Sequence, residues 1–316
     1  MRWLDRLRGN PLPWLLESEN PSVRYRALRD LLDRPLDDPD VQGALEAIPA
    51  SPPVAELVAA QHRDGYWTKR DYYLPRHSGT FWTLIVLADL GLTAEHERIR
   101  QACDYMFTFQ RDHGAFRRRR RIRGKGIVWD PRAELCTQAR IVRFLGQFGY
   151  GQDPRLRAAV DWIVSNQLSD GMWDCGGGQR PGCLRATLDV LSVASVYPTL
   201  AAHPAIARAA AVVAGLLMEP GMARYHVGLD WTTLQYPYFD YSLLSALDTL
   251  ARLGYTVEHP KIAAAAEFLL TRQLSDGAWP VDHIPRDPPF DVGQPGEPNK
   301  WLTLDAMRVI KHLDGW

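Results

Sequence analysis

Apolar residues along this chain recur at helical spacing. Between residues 240 and 253, Leu243, Leu244, Leu247, Leu250 and Leu253 form one stripe. The run Leu253-Gly254-Tyr255 then puts a glycine where a left-handed helix cap needs one. The same unit returns along the chain: a helix ending in Leu-Gly or Phe-Gly-Tyr, a short loop with an acidic or His-Pro start, and a second helix. The pattern predicts first helices over roughly 78–90, 134–148, 184–196, 240–253 and 300–313, and second helices over roughly 95–109, 153–167, 203–218 and 258–273. Ahead of them, Val23, Ala27, Leu28, Leu31 and Leu32 share a face of a helix that Asn20 caps and Pro21 opens. Asp37-Asp38-Pro39-Asp40 resembles a diphosphate–metal motif, but acidic residues with proline also mark the start of a helix, which is the reading adopted. Residues 1–20, with Trp3, Leu4, Leu7, Trp14, Leu15 and Leu16 broken by Pro11 and Pro13, read as a lead-in segment that packs on the body. Strand-like alternation is nearly absent. The expectation is an all-α protein of about eleven helices.

Each second helix ends in a repeated sentence. It reads Gln61-His-Arg-Asp-Gly65-Tyr-Trp67, Gln110-Arg-Asp-His-Gly114-Ala-Phe116, Gln167-Leu-Ser-Asp-Gly171-Met-Trp173 and Gln273-Leu-Ser-Asp-Gly277-Ala-Trp279. The glutamines stand 49, 57 and 106 residues apart, the last being twice 53. A period near ~50 marks a repeat architecture in which one unit cannot bury its own apolar face. The copy expected near 220 is lost, with Tyr225 as an aromatic trace of it. Glycine releases the chain from the helix, glutamine can bond backbone groups left open at helix ends, and tryptophan packs over the joint. These residues are therefore read as structure.

Composition narrows the function little. Lys+Arg and Asp+Glu balance at 37 each over 316 residues, so no global pull toward nucleic acid or membrane arises. No apolar stretch is long enough for a membrane span, and the first residues have no signal-peptide core. Cytoplasmic location with reduced thiols at Cys103, Cys136, Cys175 and Cys183 is expected. There is no nucleophile elbow, P-loop or dinucleotide fingerprint.

The four sentences resemble the QW repeats of the squalene–hopene cyclase and protein prenyltransferase β-subunit superfamily, over residues 20 to 314. Within it the chain is similar to bacterial prenyltransferase/squalene-oxidase-repeat proteins, whose ending resembles Asn299-Lys300-Trp301-Leu302-Thr303-Leu304. The resemblance implies an α/α toroid formed by the whole chain as one domain, with inner helices around a central cavity. Residues that begin inner helices then gather at one mouth: His77, Glu134, Cys136, Cys175, Cys183, Tyr238, Asp240, Asp282, His283 and Lys300.

Three features of that mouth are candidates for chemistry. In prenyltransferase β-subunits an Asp-x-Cys pair and a histidine hold zinc, and Glu134-x-Cys136 stands at the equivalent place. The histidine is missing, and Cys175 and Cys183 are the nearest substitutes; a zinc cofactor and buried packing cysteines are both open readings. Asp240 lies in Gln235-Tyr-Pro-Tyr-Phe-Asp240-Tyr241 and reads either as an acid among aromatics or as a helix cap. Tyr238 and Lys300 join it as candidate catalytic residues, with His77, Trp82, Arg185 and Tyr241 as candidate substrate contacts. The run Arg117–Lys125 holds seven basic residues in nine and reads either as a trap for an anionic head group or as a solvated loop. A nucleic-acid patch fits less well, because the run has no interleaved aromatics.

The leading expectation is a terpene cyclase/prenyltransferase-like enzyme that holds an elongated, isoprenoid-like apolar molecule. The Asp-x-Asp-Asp motif of class II cyclases is absent. A non-catalytic binding or scaffold toroid and a metal-dependent enzyme of unrelated chemistry are the alternatives. No partner protein is legible.

Overall fold

The computed structural model describes residues 2–175, 182–219, 231–239 and 241–313. Tyr225 and Asp240 lie outside the described residues. The chain forms two compact units, Pro53–Val212 (unit 2) and Met1–Pro52 with Val213–Trp316 (unit 1). Helices dominate: α1 (Leu12–Leu15), α2 (Pro21–Arg26), α3 (Pro39–Ala47), α4 (Pro52–Ala59), α5 (Thr80–Asp89), α6 (Glu97–Phe107), α7 (Leu135–Gln147), α8 (Pro154–Ser165), α9 (Leu184–Ser192), α10 (Pro204–Leu216), α11 (Leu243–Arg252), α12 (Pro260–Thr271) and α13 (Lys300–Leu313). From α5 onward they match the helices expected from the apolar pattern, shifted by a few residues at the ends.

Local starts follow the sequence in two places and depart from it in a third. Asn20 accepts from the Val23 amide at 3.2 Å, and Asp38 accepts from the Asp40 amide at 2.9 Å. So the acidic cluster opens α3. The third start lies later than the expected 240: Ser242 caps α11, in a reciprocal capping box with Ser245. A larger correction concerns the arginine run. It is not a bare loop but an antiparallel hairpin, β1 (Arg119–Ile122) with β2 (Gly126–Trp129), pairing Arg119 with Trp129 and Ile122 with Gly126. Arg123, Gly124 and Lys125 form the tip between the strands, and Gly124 and Gly126 take positive φ there. Arginine has no strand alternation to show, so this element had no pattern to betray it.

In unit 2, α7 packs against α5, α8 and α9; in unit 1, α11 packs against α12 and α13, and α13 also meets α2. Helices α5 and α13 are buried along almost their whole length, with Thr80 to Ala88 and Trp301 to Ile310 all inaccessible. A helix covered all round belongs inside a core.

The repeated sentence is one joint built four times. Gln61, Gln110, Gln167 and Gln273 each donate through Nε2 to the carbonyl of their own Gly65, Gly114, Gly171 and Gly277. In unit 2 the same amide nitrogen also reaches the second residue of the next outer helix: Arg98 at 2.9 Å, Arg155 at 2.7 Å and Ala205 at 2.7 Å. In unit 1 the lead-in takes that place, and the Arg8 amide donates to Gln273 Oε1 at 2.6 Å. Each tryptophan indole then donates to a carbonyl of the helix just ended: Trp67 to Leu57, Trp173 to Ile163, Trp279 to Leu269.

Two glycines show why the spacing is strict. A Cβ at Gly114 would sit 2.2 Å from the Ala158 carbonyl oxygen, and one at Gly277 would sit 2.6 Å from the Gly9 backbone. Both have positive φ, +95° and +92°, which other residues rarely adopt. The same approach brings Gly9 of the lead-in against the last sentence.

The joint has a member that the sentence does not contain. The amides of Trp67, Trp173 and Trp279 donate to Thr80, Thr187 and Thr303 Oγ1 at 3.0, 3.1 and 2.9 Å. These threonines lie near the starts of α5, α9 and α13. In the variant copy, Gln138 of α7 replaces it, exchanging two bonds with the Phe116 backbone. Replacing Thr303 by valine keeps the shape and leaves a buried amide without an acceptor. The T303V variant should lose about 1–3 kcal/mol of unfolding free energy in urea titration. The exposed control T271V should stay within about 0.5 kcal/mol.

Candidate functional site

A cleft of about 510 Å³ opens in unit 2 beside the hairpin. Three stretches build it: the loop Asp71 to Leu74 after the first sentence, the chain Phe116 to Arg121 entering the hairpin, and Asp130 to Gln138, which leaves it and starts α7. Each arrives by the same rule. The joint pins the tryptophan or phenylalanine of a sentence, so the segment after that ring is aimed at the next inner helix.

Charge in the cleft is arranged by two carboxylates. Asp71 takes Arg118 as a fork, with Nε at 3.2 Å from Oδ1 and NH2 at 2.7 Å from Oδ2. Its Oδ1 also accepts the Tyr73 and Leu74 amides at 2.9 and 3.1 Å, so the loop and the arginine are set by one side chain. Asp130 receives Arg120 at 3.3 Å, and its other oxygen accepts the Arg132 amide at 3.1 Å. Arg119 lies over the Trp129 ring at 4.8 Å and the Phe109 ring at 5.4 Å. Among the described residues Arg121 and Arg132 form no ion pair. Five arginines against Asp71, Asp130 and Glu134 leave the cleft net positive.

Tyr73 joins the cleft to the residues expected at the mouth. Arg118 sits over its ring at 5.0 Å, and its ring lies 5.2 Å from Trp82. Burial raises its hydroxyl pKa, and Arg185, Glu134, Cys136 and Arg76 are close enough to act on it. Trp82 is fully buried in α5, donates to the Tyr73 carbonyl at 2.8 Å and meets the edge of His77 at 5.1 Å. Arg185 lies 3.8 Å from Asp189, which Arg140 holds at 2.9 Å. Thus Trp82 meets both His77 and Tyr73, and Glu134, Cys136 and Arg185 act electrostatically on a tyrosine that sequence reasoning passed over. The signal was present: Asp71-Tyr72-Tyr73 comes after Trp67 just where residues facing the next inner helix should stand.

The expected metal ligands do not assemble as one set. Cys175 and Cys183 are joined to each other as a disulfide, with Cα atoms 5.9 Å apart, which also corrects the expectation of reduced thiols at these two positions. Cys136 is buried and unbonded, and burial pushes its thiol up. Glu134 precedes α7, is exposed, and accepts from Thr137 at 3.5 Å. Among the described residues, no three His, Cys, Asp or Glu side chains form a group suited to a metal ion.

The remaining candidates belong to unit 1. Lys300 Nζ pairs with Glu17 at 2.6 Å and lies over Trp14 at 5.3 Å, which ties α13 to the lead-in. Tyr241 is buried with its ring 5.3 Å from Trp231. Tyr238 donates to Asp305 Oδ2 at 2.6 Å. Burial and that carboxylate push its hydroxyl pKa well up. Asp305 Oδ1 receives Arg26 at 2.8 Å and Arg308 at 2.9 Å. Arg308, with 7% of its side chain exposed, also reaches Asp248 at 3.0 Å and Asp30 at 3.4 Å. Tyr238 is therefore a strut in a charge network that cross-links α2, α11 and α13.

Asp248 gives that network a pH signature. Burial disfavours its charge, but Arg308 and Arg252 overcome burial and hold its carboxyl well below the usual range. The unfolded chain then binds the proton more readily than the folded one. The contribution is complete above the ordinary aspartate value near ~3.9 and declines as pH falls below it. Urea midpoints measured from pH 6 down to pH 3 should fall, and the D248N variant should show a shallower acid limb. R308A should cost about 3–5 kcal/mol at neutral pH, because it strands buried carboxylates.

No family model and no curated protein matches this sequence. Solved structures similar to it include a protein from Actinoplanes, 17% identical over 93% of this chain and 90% of that one, with a TM-score of 0.47. The type II terpene cyclase MstE from Scytonema is 16% identical in its apo form, over 92% of this chain and 87% of that one, with a TM-score of 0.46. A variant of it in complex with its substrate geranylgeranyl dihydroxybenzoate is similar at the same identity and TM-score, over 93% and 87%. With TM-scores below 0.5, these likenesses assign neither a family nor a function.

Proposed function

We propose that this chain is a QW-repeat α/α toroid that binds a small amphiphile, an isoprenoid-like molecule with an anionic head group, and that the head group enters the arginine cleft. The observation that carries this reading is the division of labour among the cleft arginines. Asp71 and Asp130 fix Arg118 and Arg120 in place, while Arg121 and Arg132 line the cleft without a carboxylate of their own. A guanidinium fork suits a carboxylate or a phosphate. The apolar part of the ligand has Leu74, Phe116 and the ring of Tyr73 beside it. The scaffold and the isoprenoid tail rest on the resemblance of the four sentences to QW repeats.

Binding is better supported than catalysis. Of the three acid–base candidates, Asp240 lies outside the described residues, and Tyr238 and Lys300 are engaged in cross-links within unit 1. A non-catalytic binding protein is therefore the second reading.

Isothermal titration with a prenyl diphosphate, a prenyl carboxylate and the uncharged prenyl alcohol tests the proposal. The two anions should bind and the alcohol should bind at least about tenfold more weakly. R132A should weaken the anions about 10–100-fold, the value of a charge-assisted bond. Equal affinity for the alcohol, or no effect of R132A, would overturn the reading.

A further inference from the structure

The β1–β2 hairpin has a chemistry distinct from the cleft at its base. From Arg119 to Trp129 it carries Arg119, Arg120, Arg121, Arg123 and Lys125 and no acidic residue. The rest of the chain has five more acidic than basic residues, so the positive charge is local to this element. Its tip also carries Ile122, 43% exposed, and Ile127, 69% exposed. Among the described residues these are two of only four large hydrophobic side chains that are exposed, and Ile127 is the most exposed of them.

Register places the two isoleucines on opposite faces. Ile127 pairs with Arg121 and shares its face with Arg119 and Trp129, whereas Ile122 lies with Arg120 and Val128. Both being exposed, the tip as a whole is bare, and no single face of the ribbon is waiting for a strand or helix to cover it. The base is held firmly. Trp129 has Arg111 at 4.6 Å and Arg119 at 4.8 Å over its ring, the Asp130 amide donates to the Arg118 carbonyl at 2.8 Å, and Arg120 pairs with Asp130. An aliphatic tip ringed by cations on a fixed stem matches the boundary of a lipid leaflet, with hydrocarbon at the centre and phosphates around it. Single-stranded nucleic acid would ask for an exposed ring to stack on, and the one aromatic of the hairpin already has guanidinium groups on it.

We propose that the hairpin tip docks this protein on an anionic membrane surface, with Ile122 and Ile127 entering the leaflet and Arg121, Arg123 and Lys125 lying among the head groups. This goes beyond the head-group reading of the cleft and stands without it, since Ile122, Arg123, Lys125 and Ile127 do not line the cleft.

Co-sedimentation with vesicles of phosphatidylcholine alone, and of phosphatidylcholine mixed with phosphatidylserine, reads this out. The protein should bind the mixed vesicles, ignore the neutral ones, and release as salt is raised. Each basic residue at an anionic surface strengthens binding on the order of fivefold, so R123E/K125E should abolish it. I122S/I127S should weaken it at least about tenfold, the share of two aliphatic side chains leaving water. All four positions are exposed, and the melting midpoints of both variants should match the parent. No binding to phosphatidylserine vesicles, or unchanged binding by I122S/I127S, would overturn the proposal, as would tighter binding to a single-stranded oligonucleotide than to the vesicles. I122S/I127S should keep its affinity for the prenyl anions, so failure at the membrane and failure at the cleft are told apart.

Discussion

Everything in each unit hangs on how an outer helix is allowed to stop. The end of a helix leaves carbonyls without partners, and burying them is costly. Here one glutamine amide closes its own turn through the glycine carbonyl and, in unit 2, ties that turn to the next outer helix. The tryptophan indole satisfies a carbonyl of the helix just ended, and its amide finds a threonine on the next inner helix. A single seven-residue joint thus fixes three helices relative to one another. Helices such as α5 and α13 can be buried all round because their neighbours are positioned by these joints.

That arrangement also explains where charge appears. Buried arginines on α7 and α13 sit opposite aspartates of neighbouring helices: Arg140 with Asp189 in unit 2, and Arg308 with Asp248 in unit 1. Such pairs contribute little net stability but are costly to break, so they select one register of packing. The cleft uses the same pairing differently. Asp71 and Asp130 each hold one arginine and one stretch of backbone, and the arginines beyond them remain open toward the cleft and the hairpin. Structural pairs and recognition groups differ here in what surrounds them, not in residue type.

The helices from α5 to α13 were legible because apolar spacing and glycine punctuation act locally. Asn20 as a cap and the acidic cluster as a helix start were legible for the same reason. The thresholds of legibility show at three places. Thr80, Thr187 and Thr303 complete the joint from 13, 14 and 24 residues beyond the tryptophan, and so variable a spacing makes no motif. Cys175 and Cys183 looked like metal ligands because spacing carries no information about whether two sulfurs meet. The arginine run looked like a loop because its strands are held by Trp129 and Asp130, residues outside the run.

By itself, then, the sequence determined the helical period, the places where a helix ends in a joint, and the stretches that run from each joint to the next helix. Those are properties of a few adjacent residues and of backbone geometry. The tertiary structure alone decided that the Tyr73 ring would meet Trp82 and Arg118, and that Asp71 would hold Arg118 from 47 residues away. It also decided that Tyr238 would donate to Asp305, 67 residues along the chain. Whether a polar side chain is a brace or a site depends on which partners reach it through space, and partners that far apart along the chain leave no period to read.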